Sequence, residues 1–184
     1  MAGDTVKNRE WDNYKVNTVK PTFAGDEELM GFHHMMVCNT NVEEAKKLWR
    51  DVLGFTLDYE IPMVRKPEDQ EMYDDIWHMK GVQSKTLVLH KGHALLEIQI
   101  PQNPAVQKTP HEMLQYGYTG IKELGLWVKG IHSWFKTVRA AGYKTQTDYV
   151  FKMGSGYSFL MYDCDGNMIQ FFQIGNDKSE FPTW

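Results

Sequence analysis

The order of apolar segments repeats within this chain of 184 residues. The first copy begins at GFHHMMVCN, continues through the helix pattern NVEEAKKLWRDVLGF, and ends with the strand patterns FTLDYEIP, KTLVLHKG and HALLEIQIP. The second copy begins at GIKELGLWV, continues through GIHSWFKTVRAAGY, and ends with KTQTDYV, YSFLMYD and NMIQFFQI. At an offset of about 89 residues MVCN falls on GLWV, which indicates an internal duplication. Each copy is therefore expected to fold as strand, helix, strand, strand, strand.

The repeat divides the chain into five segments. We predict a polar N-terminal extension over 1–30, a first module over 31–101, a linker over 102–120, a second module over 121–174 and a C-terminal tail over 175–184. Inside the first module the polar stretch MVRKPEDQEMYDDIWHMKGVQS predicts a long excursion with one helical turn. Long connections of this kind often cover a pocket.

Composition narrows the class of protein. Hydrophobic residues make up 42% of the chain, which is enough for a sizeable core, and the net charge is −4. Without a long basic run, neither nucleic acid nor an anionic membrane surface is an expected partner. The two cysteines, Cys38 and Cys164, do not have the spacing of a metal site, and no apolar stretch approaches the length of a membrane span. We therefore expect a soluble, cytoplasmic protein.

Polar residues interrupt the strand patterns at comparable points of the two copies. Side chains of a strand alternate between its faces, so His34, Glu97, Glu123 and Gln170 are each expected opposite an apolar face that packs under a helix. An inward carboxylate normally needs a cation, a hydrogen-bond network or a shifted pKa. If the cupped faces of the two copies meet, the four side chains converge. Their donor types suit a divalent ion such as Ni, Co, Mn, Fe or Zn.

Several segments resemble the vicinal oxygen chelate superfamily, which includes glyoxalase I, methylmalonyl-CoA epimerase, extradiol dioxygenases and the fosfomycin- and bleomycin-resistance proteins. The similar segments are HHMMVCNTNVEEAKKLWRDVLGF, LLEIQIP, GIKELGLWV and YDCDGNMIQFF, and the likeness covers about Gly31 to Ile174. The resemblance implies an α+β fold of two paired βαβββ modules that form a cupped mixed sheet with the helices outside. It also implies that the family's metal positions fall on His34, Glu97, Glu123 and Gln170.

Two of these positions depart from the family pattern. Many members have His where Glu123 stands and Glu where Gln170 stands. Extradiol dioxygenases use two His and one carboxylate for iron, and the second His is missing here. The departures argue against ring cleavage.

The resemblance implies a metal-dependent isomerase, epimerase or glyoxalase-type lyase that moves a proton next to a carbonyl group. A metal stabilises the developing enolate, and a carboxylate, Glu123 or alternatively Glu97, acts as the base. One alternative is a binding protein that sequesters a small molecule without catalysis, and another is an iron-dependent dioxygenase. The expected partner is a small, fairly apolar and possibly aromatic substrate, and the expected assembly is a homodimer.

Each candidate residue also has a purely structural interpretation. His34 can be a core histidine, Glu97 a solvated strand residue, Glu123 a partner of Lys122 or Lys129, and Gln170 a pocket hydrogen bonder. His33 is expected on the face opposite His34. Further side chains are expected on the pocket face as contacts for the substrate: Met36, Trp127, Tyr157, Phe159, Met161 and Phe172.

Overall fold

The first module forms a four-stranded sheet in a computed structural model that describes residues 32–154 and 156–174. Its elements are β1 (Met35–Cys38), α1 (Val42–Lys46, continuing as a π-helical segment, Lys47–Val52), β2 (Thr56–Pro62), β3 (Gln83–Lys91) and β4 (Ala94–Asn103). The strand order is β1-β4-β3-β2, with β1 parallel to β4 and the other pairs antiparallel. The predicted extension and tail lie outside the described residues.

The first helix has a distinct boundary at each end. The side-chain oxygen of Asn41 accepts hydrogen bonds from the backbone N–H groups of Glu43 and Glu44, at 2.9 and 3.1 Å. This contact satisfies two N–H groups that the helix itself leaves unpaired. Gly54 follows the helix with φ of +69°, a left-handed conformation that favours glycine.

The excursion between β2 and β3 contains more helix than the single turn predicted. A short 3₁₀ segment, Pro67–Asp69, leads into α2 (Gln70–Trp77). The buried carboxylate of Asp74 fixes this helix, because it accepts hydrogen bonds from the backbone N–H groups of Gly81 and Val82, each at 3.0 Å. These bonds, that of Gly81 first, hold the pKa of Asp74 below its usual value.

The second module repeats the same topology. It contains β5 (Glu123–Trp127), α3 (Ile131–Ala140), β6 (Phe151–Met153), β7 (Gly156–Tyr162) and β8 (Met168–Gln173), and its strand order is β5-β8-β7-β6. β5 runs parallel to β8. The predicted α+β class and the two βαβββ modules are therefore confirmed.

One predicted strand is displaced along the sequence. KTQTDYV forms a single bridge, between Thr145 and Met161, and the strand begins only at Phe151. The hydroxyl of Thr145 donates to the carbonyl of Thr147 at 2.7 Å, and the hydroxyl of Thr147 donates to the carbonyl of Tyr149 at 2.6 Å. Such local side-chain to backbone bonds compete with strand pairing, which explains the correction.

The hydrophobic core joins the helix-facing sides of both modules. One contiguous cluster contains Trp49 and Ile98 from the first module and Ile131, Phe159 and Phe171 from the second, each 2% exposed or less. Burying each such side chain stabilises the fold by roughly 1.5–3 kcal/mol. The described residues from His33 to Ile174 belong to one compact unit. None of the helices in the described part of the chain is long and apolar enough to cross a membrane.

Candidate functional site

The four predicted polar positions occupy equivalent places in the two sheets. Parallel pairing aligns Met36 with Glu97 in the first module and Gly125 with Gln170 in the second. His34 stands two residues before Met36, and Glu123 stands two residues before Gly125. Residues two apart along a strand share a face, so Glu123 and Gln170 lie on one face of the second sheet. His34 lies one residue before β1, and the same rule places it on the Glu97 side.

The first pair is only partly enclosed. His34 is exposed and Glu97 is half-buried. The Nδ1 atoms of His33 and His34 lie 2.7 Å apart, and the two rings meet edge to face with centroids 5.0 Å apart. His33 therefore contacts His34 directly, although it was expected on the opposite face.

In the second module, Glu123 is half-buried and forms a hydrogen bond with a tyrosine. The hydroxyl of Tyr116 donates to Oε2 of Glu123. The ammonium group of Lys122 donates instead to the carbonyl of Met113 at 2.9 Å. The partner of Glu123 is therefore the phenol of Tyr116, and not Lys122, whose salt bridge with Glu123 was the structural interpretation. Burial, followed by the hydrogen bond to Glu123, raises the pKa of Tyr116 to about 12.

Gln170 lies between β5 and β7 on the same face. It pairs with Gly125 on one side and with Leu160 on the other. Within the described part of the chain, its amide makes one hydrogen bond, a 3.8 Å contact from Nε2 to Sδ of Met153. A thioether is a weak acceptor, so this contact leaves much of the hydrogen-bonding capacity of the amide unused.

A cavity of about 250 Å³ is lined by residues of both β1 and β5. Its lining combines apolar side chains, such as Met36 and Leu124, with polar and charged ones, such as Glu123, Lys108 and Asp165. His34, Glu97 and Gln170 are not part of its lining. The structure therefore brings one of the four predicted polar residues to this cavity.

A buried polar network beside this cavity was not foreseen as a unit. The amide of Asn39, after β1, donates to Asp163 at 2.8 Å and to Asp165 at 2.9 Å. The backbone N–H and the hydroxyl of Thr40 also donate to Asp165, at 2.8 and 2.7 Å. Burial alone raises the pKa of Asp165, but these hydrogen bonds outweigh it and hold the pKa below its usual value. The network ties the first module to the turn between β7 and β8.

Sequence and structure comparisons identify the family. A sequence profile of the Glyoxalase/Bleomycin resistance protein/Dioxygenase superfamily matches residues 31–171. The chain belongs to this superfamily. The match spans both modules, and it confirms the resemblance to vicinal oxygen chelate proteins that the sequence motifs carry. No curated protein shows significant similarity to the sequence.

Solved structures of the superfamily share the fold at low identity. A glyoxalase family protein from Bacillus cereus superposes with a TM-score of 0.71 at 12% identity, covering 84% of this chain and 100% of that one. A glyoxalase/dioxygenase from Nostoc punctiforme gives 0.59 at 13%, covering 86% and 100%. A mutant of the fosfomycin resistance protein FosX from Listeria monocytogenes, in complex with Mn(II) and a dihydroxypropylphosphonic acid, gives 0.53 at 10%, covering 82% and 96%.

Membership of this superfamily raises the question of a metal ion. An imidazole, two carboxylates and an amide oxygen are donors that a divalent ion accepts. Within residues 32–154 and 156–174, however, no three His, Cys, Asp or Glu side chains lie together in a group that could hold an ion. The donor types suit a metal, but the described groups do not gather into such a site in this structure. The chemistry proposed for this superfamily member therefore uses the protein groups alone.

Strand register corrects part of the predicted substrate face. Gln170 pairs with Leu160 in the antiparallel β7–β8 ladder, so the residues of β7 on the Gln170 face are Leu160 and its alternate neighbours. Phe159 and Met161 lie on the opposite face without exposed surface, and Phe159 stacks on Phe171 with centroids 4.6 Å apart. Met36, Trp127 and Phe172 lie on the polar faces; Tyr157, Phe159 and Met161 lie on the helix face; Ser158, Leu160 and Tyr162 take their place beside Gln170.

Proposed function

We propose that this superfamily member binds a small, largely apolar carbonyl compound and moves a proton at the carbon next to the carbonyl group. Glu123 is the proposed base. The observation that supports this role is a half-buried carboxylate at the wall of a cavity, with one oxygen bound by the hydroxyl of Tyr116. A positioned base of this kind contributes roughly 10²–10⁴-fold to the rate of a proton transfer.

In the proposed reaction the free oxygen of Glu123 takes the proton from the carbon atom. The electron pair of the broken C–H bond forms the C=C bond of an enolate, and the carbonyl π electrons move to the oxygen. The protonated carboxyl exchanges its proton with solvent and then returns one to the same carbon atom, and the electrons on the oxygen re-form the C=O bond. The net result is exchange at that carbon. Tyr116 is protonated at neutral pH, far below its pKa of about 12, and it holds the carboxylate in one orientation.

The metal centre at His34, Glu97, Glu123 and Gln170 stays a prediction. A divalent ion would supply a positive charge that stabilises an enolate oxygen. Elemental analysis of the purified protein tests it. A content of about one metal ion per chain that is lost in Glu97→Ala would support a metal site. An unchanged metal content in that variant would argue against it.

A second candidate function is small-molecule binding without catalysis. It is consistent with described carboxylate and imidazole groups that do not gather into a set of three, because binding needs no metal. In this case the cavity and the polar faces would hold a ligand, and Glu123 would act only through hydrogen bonding. Binding without proton exchange is the expected behaviour of such a protein.

Deuterium exchange separates the two functions. The protein is incubated in D₂O with acetophenone or with 2-hexanone, and NMR follows exchange at the carbon next to the carbonyl group. We expect exchange with the wild type and its loss in Glu123→Gln, while Glu97→Gln retains it. Loss in Glu97→Gln alone would transfer the role of base to Glu97. Ketone binding without exchange above the Glu123→Gln background would support the binding protein.

We further infer a homodimer that works in a reducing compartment such as the cytoplasm. Both cysteines are free, with Cys38 exposed and Cys164 half-buried, and free thiols are typical of such a compartment. Light scattering coupled to size-exclusion chromatography tests the dimer. A mass of one chain at micromolar concentration would argue against it.

A further inference from the structure

We infer that Gly125 determines substrate specificity: the space above it forms a slot in which the carbonyl group of an aryl ketone reaches the amide of Gln170. The inference rests on the proposed function and names the chemical class of its substrate. It starts from a glycine in the middle of β5, between Glu123 and Trp127.

Neither the backbone nor the packing requires glycine at this position. Gly125 is absent from the residues with positive φ, so an ordinary side chain fits its backbone conformation. A Cβ atom built there would have Oε1 of Gln170, at 4.0 Å, as its close neighbour, which is ordinary van der Waals contact. Glycine also weakens a strand, and one that is not needed for geometry often marks a place where a ligand approaches the backbone closely.

The groups around Gly125 stand in an order that matches one type of molecule. Glu123 and Trp127 are four residues apart, which separates their Cα atoms by about 13 Å along the strand, and Gly125 lies midway. All three face the same side of the sheet, and Gln170 lies directly across from Gly125 on β8. A ligand along β5 therefore meets an indole, then an amide, then a carboxylate.

An aryl alkyl ketone has the same sequence of groups. Its ring packs against Trp127, and the adjacent carbon lies toward Glu123. Oε1 of Gln170 faces position 125, so the amide turns over to bind the ligand. Nε2 then leaves Met153 and donates a hydrogen bond to the carbonyl oxygen. The weak 3.8 Å contact to Met153 is easily exchanged for a bond to a carbonyl oxygen. A side chain at position 125 would occupy the place of that carbonyl group.

Graded substitutions of Gly125 test this slot. Acetophenone is titrated into the wild type, Gly125→Ala, Gly125→Val and the control Lys152→Val, and binding is followed by ligand-observed NMR. Lys152 is exposed on the edge strand β6 and faces away from Met153, so its variant adds valine to a strand outside the slot. We expect binding about threefold weaker with alanine and at least about tenfold weaker with valine, because a clash grows with side-chain volume.

The outcomes distinguish the slot from the proposed reaction. Thermal unfolding shows whether each variant is folded, and valine favours the strand conformation. Two results would contradict the slot: equal acetophenone binding by the wild type and folded Gly125→Val, or no acetophenone binding by the wild type. Either result counts against the slot even if the protein still catalyses proton exchange with 2-hexanone. If acetophenone binding weakens from wild type to alanine to valine but no proton exchange is detected, the slot is supported and the proposed proton transfer is contradicted.

Discussion

The hydroxyl of Tyr116 donates a hydrogen bond to Oε2 of Glu123, and this contact defines the second module's polar face. It leaves the other carboxylate oxygen to act on a ligand. It also gives a reason for glutamate at a position where a salt bridge or a metal was expected.

The first prediction concerns the ionisation of Tyr116. The phenol pKa is raised to about 12 from a reference value of 10.0, so the neutral form is favoured by folding. The resulting stability is fully present below pH 10 and is lost as the pH rises through about 12. We expect the tyrosinate absorbance that distinguishes the wild type from Tyr116→Phe to develop near pH 12. Development near pH 10 would show that neither burial nor the bond to Glu123 raises the phenol pKa.

Removing the Tyr116 hydroxyl should also affect proton transfer. Tyr116→Phe leaves the carboxylate of Glu123 without the group that orients it, and we expect about tenfold slower exchange, with ketone affinity within about twofold of the wild type. Deuterium exchange and NMR titration measure the two effects. Tyr118→Phe, a nearby exposed tyrosine, is the control and should exchange at the wild-type rate.

Asp165 should contribute strongly to stability. Asp165→Asn loses the charge that accepts bonds from Asn39 and Thr40, and we expect a decrease of about 1–3 kcal/mol in the free energy of unfolding. Since the pKa of Asp165 is lowered, its contribution is present above the reference value of 3.8 and is lost as the pH falls through the lower folded value. Urea unfolding at pH 7 and pH 3 measures both effects.

The matched control for Asp165 is an exposed aspartate. Asp148 is exposed, and Asp148→Asn should change the free energy of unfolding by less than about 0.5 kcal/mol. A similar loss in both variants would mean that the network between the modules does not form.

Cys164 should react slowly in the folded protein. Burial first, and then the nearby carboxylate of Asp165, raise the pKa of the Cys164 thiol to about 12. The thiolate is the reactive form, so alkylation by iodoacetamide at pH 8 should be much slower at Cys164 than in urea. Peptide mass spectrometry follows each thiol separately. Asp165→Asn removes the negative charge beside the thiol and should accelerate alkylation of Cys164. Equal alkylation rates in native and unfolded protein would show that Cys164 is not buried.

Phe159 should matter to the core and not to the ligand. Its ring has no exposed surface and stacks on Phe171, so Phe159→Leu is expected to lower the free energy of unfolding by about 1–3 kcal/mol. The folded variant should bind acetophenone as tightly as the wild type. A marked loss of binding at temperatures well below unfolding would return Phe159 to the substrate face.

Local patterns determined much of the fold. The caps at Asn41 and Gly54, and the repeated order of strands and helices, follow from backbone hydrogen bonding and from side-chain periodicity, which act between close neighbours. The strand expected over KTQTDYV was displaced because the threonine hydroxyls bond to nearby carbonyls, a competition that periodicity does not reveal.

The faces of the strands show where such reasoning ends. Alternation within β5 and β8 placed Glu123 and Gln170 together correctly, because parallel pairing preserves the parity of each strand. Alternation within one strand does not say which residues of the next strand share its face. The face of Phe159 was therefore determined only by the register that pairs Leu160 with Gln170. The partners Tyr116 and Asn39 had no signal in spacing.

The sequence by itself determined two βαβββ modules, their helices and the polar residues that interrupt their strands, since these depend on interactions between neighbours in the chain. Only the tertiary structure decided that Tyr116 binds Glu123, that Asn39 joins Asp163 and Asp165, and that the described metal-capable groups do not gather into a set of three. Those contacts depend on how separate sheets and turns are positioned, and that position is set by the packing of the whole core.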